Sequence, residues 1–219
     1  MIADLSRMED THRLARQLLE LDEPIDVLIH NAGIYRTVRG LNAESIELVF
    51  AVNYLSSFVL NYLLMEKLKS QESERILLVN SEGHRFAPWG LRLDDLNWEK
   101  RFYTGLRSYG SSKTAQLLTM MIFDDYFSGR GVTINAMHPG SVKTEAGRDN
   151  GPLYTWFKHH VMERNFRSPE VSSETPKGIS GRFLNLTTEE EPAPPALDRE
   201  VARELWDISL RMGGLLEES

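Results

Sequence analysis

Along the chain, apolar positions switch between helical spacing and short continuous runs. Ser6-Arg7-Met8-Glu9 has the form of a capping box, with a serine hydroxyl for an orphan N–H and a glutamate three residues on. An amphipathic helix is expected from there to about Leu21, with Leu14, Leu18 and Leu19 on one side. Pro24 stops it, and Ile25–His30 reads as a buried strand. A helix from about Ala43 to Leu68 and a strand Arg75–Asn80 follow. A polar stretch from Glu82 to Ser108 is long for a plain connection, a length typical of functional loops. Ser108 to about Phe127 reads as helix and Val132–Met137 as the third strand. Residues 145–180 look irregular with some helix, and Phe183–Leu186 has the form of a short last strand. Glu189–Ala196, acidic and then proline-rich, reads as a surface loop before a closing helix from about Arg199 to Arg211. Near-continuous apolar strands alternating with helices predict an α/β protein whose parallel sheet is covered on both faces.

Composition narrows the partners. The 219 residues suit a single domain spanning 1–219. Twenty-five Lys+Arg against 32 Asp+Glu give a net charge of −7, which argues against nucleic-acid binding. No cysteine is present, which removes disulfides, thiolate metal sites and a cysteine nucleophile. No metal site is expected: His159 and His160 are adjacent and do not share a helix face, and Asp94-Asp95 reads as a solvated loop. The chain opens without a basic or apolar leader, so a cytoplasmic location is expected. Leu48–Met65 carries no charge and approaches the length of a spanning helix, yet Asn53, Ser56, Ser57 and Asn61 are costly in lipid. A buried core helix is expected there, with no membrane span.

In parallel sheets the ligand sits beyond the carboxyl ends of the strands, which directs attention to Asn31-Ala32-Gly33, Ser81-Glu82-Gly83 and His138-Pro139-Gly140. Tyr109 and Lys113 are four apart, on one helix face. An ammonium beside a phenol is expected to lower the phenol's pKa, so that the pair can pass a proton to or from an alcohol or carbonyl oxygen. Ser81 would hold that oxygen. His84, three residues past Ser81, raises a serine-hydrolase alternative, although Val79-Asn80-Ser81-Glu82-Gly83 lacks the first glycine of a nucleophile elbow.

These motifs resemble the short-chain dehydrogenase/reductase family, in particular its retinol-dehydrogenase-like branch. The resemblance rests on Asn31-Ala32-Gly33, Asn53, Ser81, Tyr109 with Lys113, Pro139-Gly140 with Thr144, and Asp4-Leu5. Asp95-Leu96-Asn97 and Leu205–Ser209 are similar to stretches typical of that branch. It implies a Rossmann-type doubly wound parallel sheet and an NADP- or NAD-dependent oxidoreductase acting on a small-molecule alcohol or carbonyl. Tyr109 would be the general acid/base, Lys113 would lower its pKa, and Ser81 would orient the substrate oxygen. Asn53 would hold a relay water and a helix kink. Asp4, Leu5, Asn31, Ala32 and Gly33 would line the adenosine side of the cofactor. Pro139, Gly140 and Thr144 would meet the nicotinamide, with Tyr109 and Lys113 on its ribose.

Two departures qualify the resemblance. The family opens with a strand, a glycine-rich turn and two further strands, so the chain looks N-terminally truncated by on the order of 60 residues. Gly129-Arg130-Gly131 does not replace that turn, because it leads from a helix into a strand and reads as a helix C-cap. The stretch near Thr175-Pro176-Lys177 is also shorter than usual, which weakens any substrate inference. Without the missing strands, Ile25–His30 is left with an unpaired edge and bare apolar faces. Marginal stability, a homo-oligomer paired through that edge, and a longer upstream reading frame all remain open. A non-catalytic binding or regulatory fragment is the alternative to an enzyme.

Overall fold

The computed structural model describes residues 1–71, 74–140 and 178–216. Thr144, His159, His160 and the Thr175–Lys177 stretch lie outside the described residues. Four strands run parallel, side by side in chain order: β1 (Val27–His30), β2 (Arg75–Val79), β3 (Thr133–His138) and β4 (Phe183–Asn185). A two-residue β5 (Thr188–Glu189) turns back antiparallel on β4. The architecture is α/β, as the sequence predicts.

The strands sort their side chains by parity, as a pleated sheet must. Ile76, Leu78, Ile134, Ala136 and Phe183 join one large core with the buried faces of the helices. Those helices are α1 (Met8–Leu19), α2 (Leu48–Phe50), α3 (Ser56–Lys69), α4 (Gly105–Phe127) and α5 (Arg199–Met212). The alternate residues Leu77, Met137 and Leu184 form a separate small cluster. Among the described residues the helices therefore cover one face, where coverage of both was expected. On β1 the consequence is direct: Val27 is 41% and Ile29 54% exposed, so the strand that reads as buried is bare on one apolar face, as expected where neighbouring strands are lacking.

Helix ends follow local chemistry. The capping box is not formed: Arg7 precedes α1 without a side-chain bond, and the Ser6 hydroxyl donates instead to Asp4 Oδ1 (2.7 Å). The expected helix from Ala43 starts only at Leu48, where the Glu47 carboxylate accepts from Phe50 N (2.8 Å). The helix expected from Ser108 starts at Gly105, capped by the Thr104 hydroxyl. Asp198 caps α5 by accepting from Glu200 N and Val201 N. Gly129 and Gly131 both lie at positive φ between α4 and β3, which bears out the turn reading.

Between α2 and α3 the helix widens into a π turn, Ala51–Leu55. Such a turn disturbs the regular carbonyl ladder. Side chains engage three consecutive carbonyls here: Ser56 Oγ donates to Val52 O (2.9 Å), Gln116 Nε2 to Asn53 O (2.8 Å) and Ser57 Oγ to Tyr54 O (2.7 Å). The stretch Leu48–Lys69 is long and apolar enough to cross a membrane by length and composition, and 78% of its most apolar window is buried within the protein. That agrees with a core helix, its polar residues spent on internal bonds.

Around α3, Phe58, Phe123 and Tyr126 surround Trp206 of α5, with ring centroids 4.9, 4.7 and 5.2 Å away. Removing that indole empties the junction of three helices. Trp206→Ala is expected to lower unfolding free energy by about 3–5 kcal/mol, read from the urea midpoint at unchanged m-value.

Candidate active site

Parallel, in-register strands put their following loops at one end of the sheet. Asn31–Gly33 leave β1, Asn80-Ser81 leave β2, and Pro139-Gly140 leave β3. Asn31, Ala32 and Gly33 are exposed there. Gly140 adopts φ +76°, and a side chain on it would press on Leu186, so this approach to the sheet is kept to bare backbone.

Ser81 is extended and its hydroxyl accepts from Gly83 N (3.0 Å), which starts a short 3-10 turn, Glu82–Phe86. The ring of Tyr109 lies close against Gly83. A Cβ there would sit 2.7 Å from Tyr109 Cε1 and 3.2 Å from Ser81 Oγ. Gly83 is therefore what lets the serine and tyrosine meet, and a neighbouring glycine is not a signal that residue spacing carries. Tyr35 also meets the Tyr109 ring edge-on, ring centroids 5.9 Å apart.

Lys113 lies one turn along α4, its Nζ 5.6 Å from the centre of the Tyr109 ring. Only 3% of the residue is exposed. Its ammonium donates to Val79 O (2.8 Å) and Gln116 Oε1 (3.2 Å). Burial pulls its pKa down to about 7. The expected electrostatic lowering of the Tyr109 pKa is not what the geometry gives. Burial raises the phenol, opposed only by its hydrogen bond with Ser81. The lysine, itself lowered to about 7 by burial, has given up its charge before a phenol titrates, so no ammonium is left to favour the phenolate.

Asn53 sits in the π turn, 1% exposed. Its amide oxygen accepts from Ile34 N (2.7 Å), and its nitrogen donates to Ile34 O (3.0 Å) and Ser112 Oγ (3.1 Å). It thus clamps the loop after β1 to α4, and its own carbonyl receives Gln116. Gln116 is the residue that sequence reasoning missed. Its position three after Lys113 puts it on the same helix face, and that spacing was the available signal.

Asp4 and Leu5 are not brought to this cluster by any described bond. The Asp4 carboxylate accepts from Ser6 N and Oγ, which holds its pKa below the usual range. The stretch it opens is tied to Asn42 and Glu44. His30, expected to be a strand-end residue, contacts Asn61 Oδ1 through Nε2 (2.8 Å). His84 is 1% exposed and gives both ring nitrogens away from the Ser81 hydroxyl. Nε2 accepts from Ala193 N (3.1 Å), so Nδ1 is the donor to Ser81 O (2.8 Å). This is not the geometry of a serine–histidine nucleophile. It also ties the expected surface loop down: Thr188–Glu189 is strand and Ala196 is 1% exposed.

The polar stretch before α4 is a scaffold. Asp95 is 5% exposed and not solvated as expected; its carboxylate accepts from Glu99 N, Lys100 N and Arg101 Nε. Asn97 bridges Ser45 O and Glu47 N. Trp98 is buried under the Arg101 guanidinium, whereas Trp89 is 85% exposed.

Comparisons with known proteins point to one family. The short chain dehydrogenase family profile matches residues 1–90. Human retinol dehydrogenase 13 is 34% identical over 97% of this chain and 67% of its own length. The chain belongs to the short-chain dehydrogenase family. It spans about two thirds of that relative. An uncharacterised protein from Mycobacterium paratuberculosis superposes with a TM-score of 0.70 at 25% identity, over 97% of this chain and 74% of its own. The Pseudomonas aeruginosa RhlG/NADP active-site complex superposes at 0.61 and 18% identity, over 90% and 76%, a likeness of fold alone.

The His84 link carries a pH signature. Burial lowers its pKa from the ordinary 6.5, so the folded state resists a proton that the unfolded chain accepts. The stability this neutral ring contributes is present above that value and is lost as pH falls through it. Unfolding midpoints of the wild type and His84→Gln, measured between pH 7.5 and 5.5, are expected to converge toward the acidic end. A constant gap would contradict the assignment.

Proposed function

We propose that this chain is an oxidoreductase of small-molecule alcohols and carbonyls that works with NADP or NAD. The observation that carries the reading is the meeting of Ser81, Tyr109 and Lys113 at the carboxyl end of the sheet. The fit to a nicotinamide is supported by the bare Gly140 backbone and by an ammonium with one N–H beyond its two described acceptors. Pro139, Gly140, Thr144, Tyr109 and Lys113 would hold that end of the cofactor, and Asn31, Ala32 and Gly33 the adenosine side. Asp4 and Leu5 fit less well, since the carboxylate is engaged by Ser6.

When bound, the dinucleotide supplies or accepts the hydride. Ser81 Oγ and the Tyr109 hydroxyl hold the substrate oxygen from two sides. Tyr109 gives its proton to that oxygen in reduction and takes it back in oxidation. The raised pKa keeps the phenol protonated at neutral pH, ready to donate to a carbonyl oxygen. Tyr35 narrows the mouth over the ring and excludes water from that side.

A binding or regulatory role without turnover is the second reading, favoured by the Asp4 carboxylate being engaged by Ser6. Titrating NADPH and NADH against the full chain while following nicotinamide fluorescence separates the two. Saturable binding is expected; its absence up to millimolar nucleotide supports the second reading. Given binding, Tyr109→Phe is expected to cut kcat about 10²–10⁴-fold with nucleotide affinity and thermal midpoint retained. A fully active variant would remove Tyr109 from the proton transfer.

A further inference from the structure

Lys113 has no carboxylate against it in the described bonds, and its oxygens come from the backbone of β2 and from one amide. That amide, Gln116, is 2% exposed and makes three bonds at once. Its Oε1 accepts from Lys113 Nζ (3.2 Å) and from Asn80 Nδ2 (3.0 Å), and its Nε2 donates to Asn53 O (2.8 Å). The orientation is forced. Flipped, the NH₂ would face an ammonium and another NH₂, and the oxygen would face a carbonyl. Asn80 is fixed in turn, since the same Nδ2 donates to Lys113 O (2.9 Å) and its oxygen accepts from Ser81 N (2.7 Å). One side chain therefore ties the π turn, the end of β2 and the lysine into a single network that ends at the backbone of Ser81.

We propose that Gln116 is a positioning residue that sets where the Lys113 ammonium sits and how readily it keeps its proton. A neutral amide supports the charge with a dipole alone. It leaves the lysine poised between its two forms at neutral pH, where a carboxylate in the same place would lock it charged. Only the consequence for turnover rests on the oxidoreductase reading; the placement of the ammonium does not.

The test reads the lysine directly. In the full chain carrying ¹³C-labelled lysine, the Lys113 Cε resonance is followed against pH in wild type, Gln116→Glu and Gln116→Met. Gln116→Glu is expected to raise the midpoint by at least about one pH unit and Gln116→Met to lower it, because one adds an opposite charge and the other removes an acceptor. Midpoints unchanged in both folded variants would overturn the proposal. In wild type, which needs no substitution, the Gln116 side-chain ¹⁵N resonance is expected to titrate with the Lys113 midpoint. A Gln116 signal indifferent to that titration would also overturn it. Failure to bind nucleotide would sink the oxidoreductase reading while leaving these midpoints standing. Where turnover is measurable, the pH profile of kcat is expected to shift with the lysine, a response that loss of packing alone would not give.

Discussion

An ammonium sunk into a protein with no carboxylate bonded to it among the described residues is the constraint around which the middle of this chain is arranged. Moving such a charge out of water costs several kcal/mol unless oxygens replace the lost solvent. Lys113 meets the demand with dipoles: the Val79 carbonyl and the Gln116 amide. Each of those must itself be held. Val79 is the last residue of β2 and is fixed by pairing with β3. Gln116 is fixed by Asn80 and by the Asn53 carbonyl in the π turn. The widened helix, the strand end and the long α4 are thus parts of one solution to one buried charge.

A second buried ion, Glu47, is handled by a different route. It is 0% exposed, and burial raises its pKa. It survives by capping α2 through Phe50 N and by accepting from Ser108 Oγ (3.1 Å) and Tyr103 OH (3.3 Å). Those bonds join the start of α2 to the start of α4, and Tyr103 also reaches Arg36 O (3.2 Å) in the segment that carries Tyr35. The wall opposite the Tyr109 phenol is therefore anchored on the same carboxylate. The loop from Glu82 to Ser108 looks functional by its length, yet its buried charges serve to stiffen the entrance.

What the sequence disclosed follows from the range of the forces involved. Strands with continuous apolar runs, the closing helix and the Gly129–Gly131 turn depend on neighbours in the chain, and they stand where the pattern puts them. The co-location of Ser81, Tyr109 and Lys113 was legible because parallel strands deliver their loops to one edge. The state of the pair was not. Whether Lys113 faces a phenol or a carbonyl is decided by groups thirty or more residues away, as with Val79 O. Ser6 and Glu9 fit a capping box locally, yet Asp4 competes for the serine and wins. Asp94-Asp95 read as solvent-facing because Arg101, six residues beyond Asp95, is not visible to a spacing rule as its partner.

The order of the sheet separates two tasks that a dinucleotide-binding protein must perform. Strands run β1 to β4 in one direction with no reversal, and among the described residues β1 is one edge of the sheet. Among the described residues, Ser81, Tyr109, Lys113, Pro139 and Gly140 lie inward of that edge, after β2 and β3 and on α4, and Ser81 and Lys113 are held by internal bonds. The edge itself is four residues long with Val27 and Ile29 turned to solvent. Its following loop is tied at Ile34 by the Asn53 clamp and at Arg36 by the Tyr103 hydroxyl. On the proposed reading, proton transfer would fall to the bonded interior and grip on the rest of a dinucleotide to the β1 border, and Asn53, bonded to Ile34 and to Ser112, spans the two.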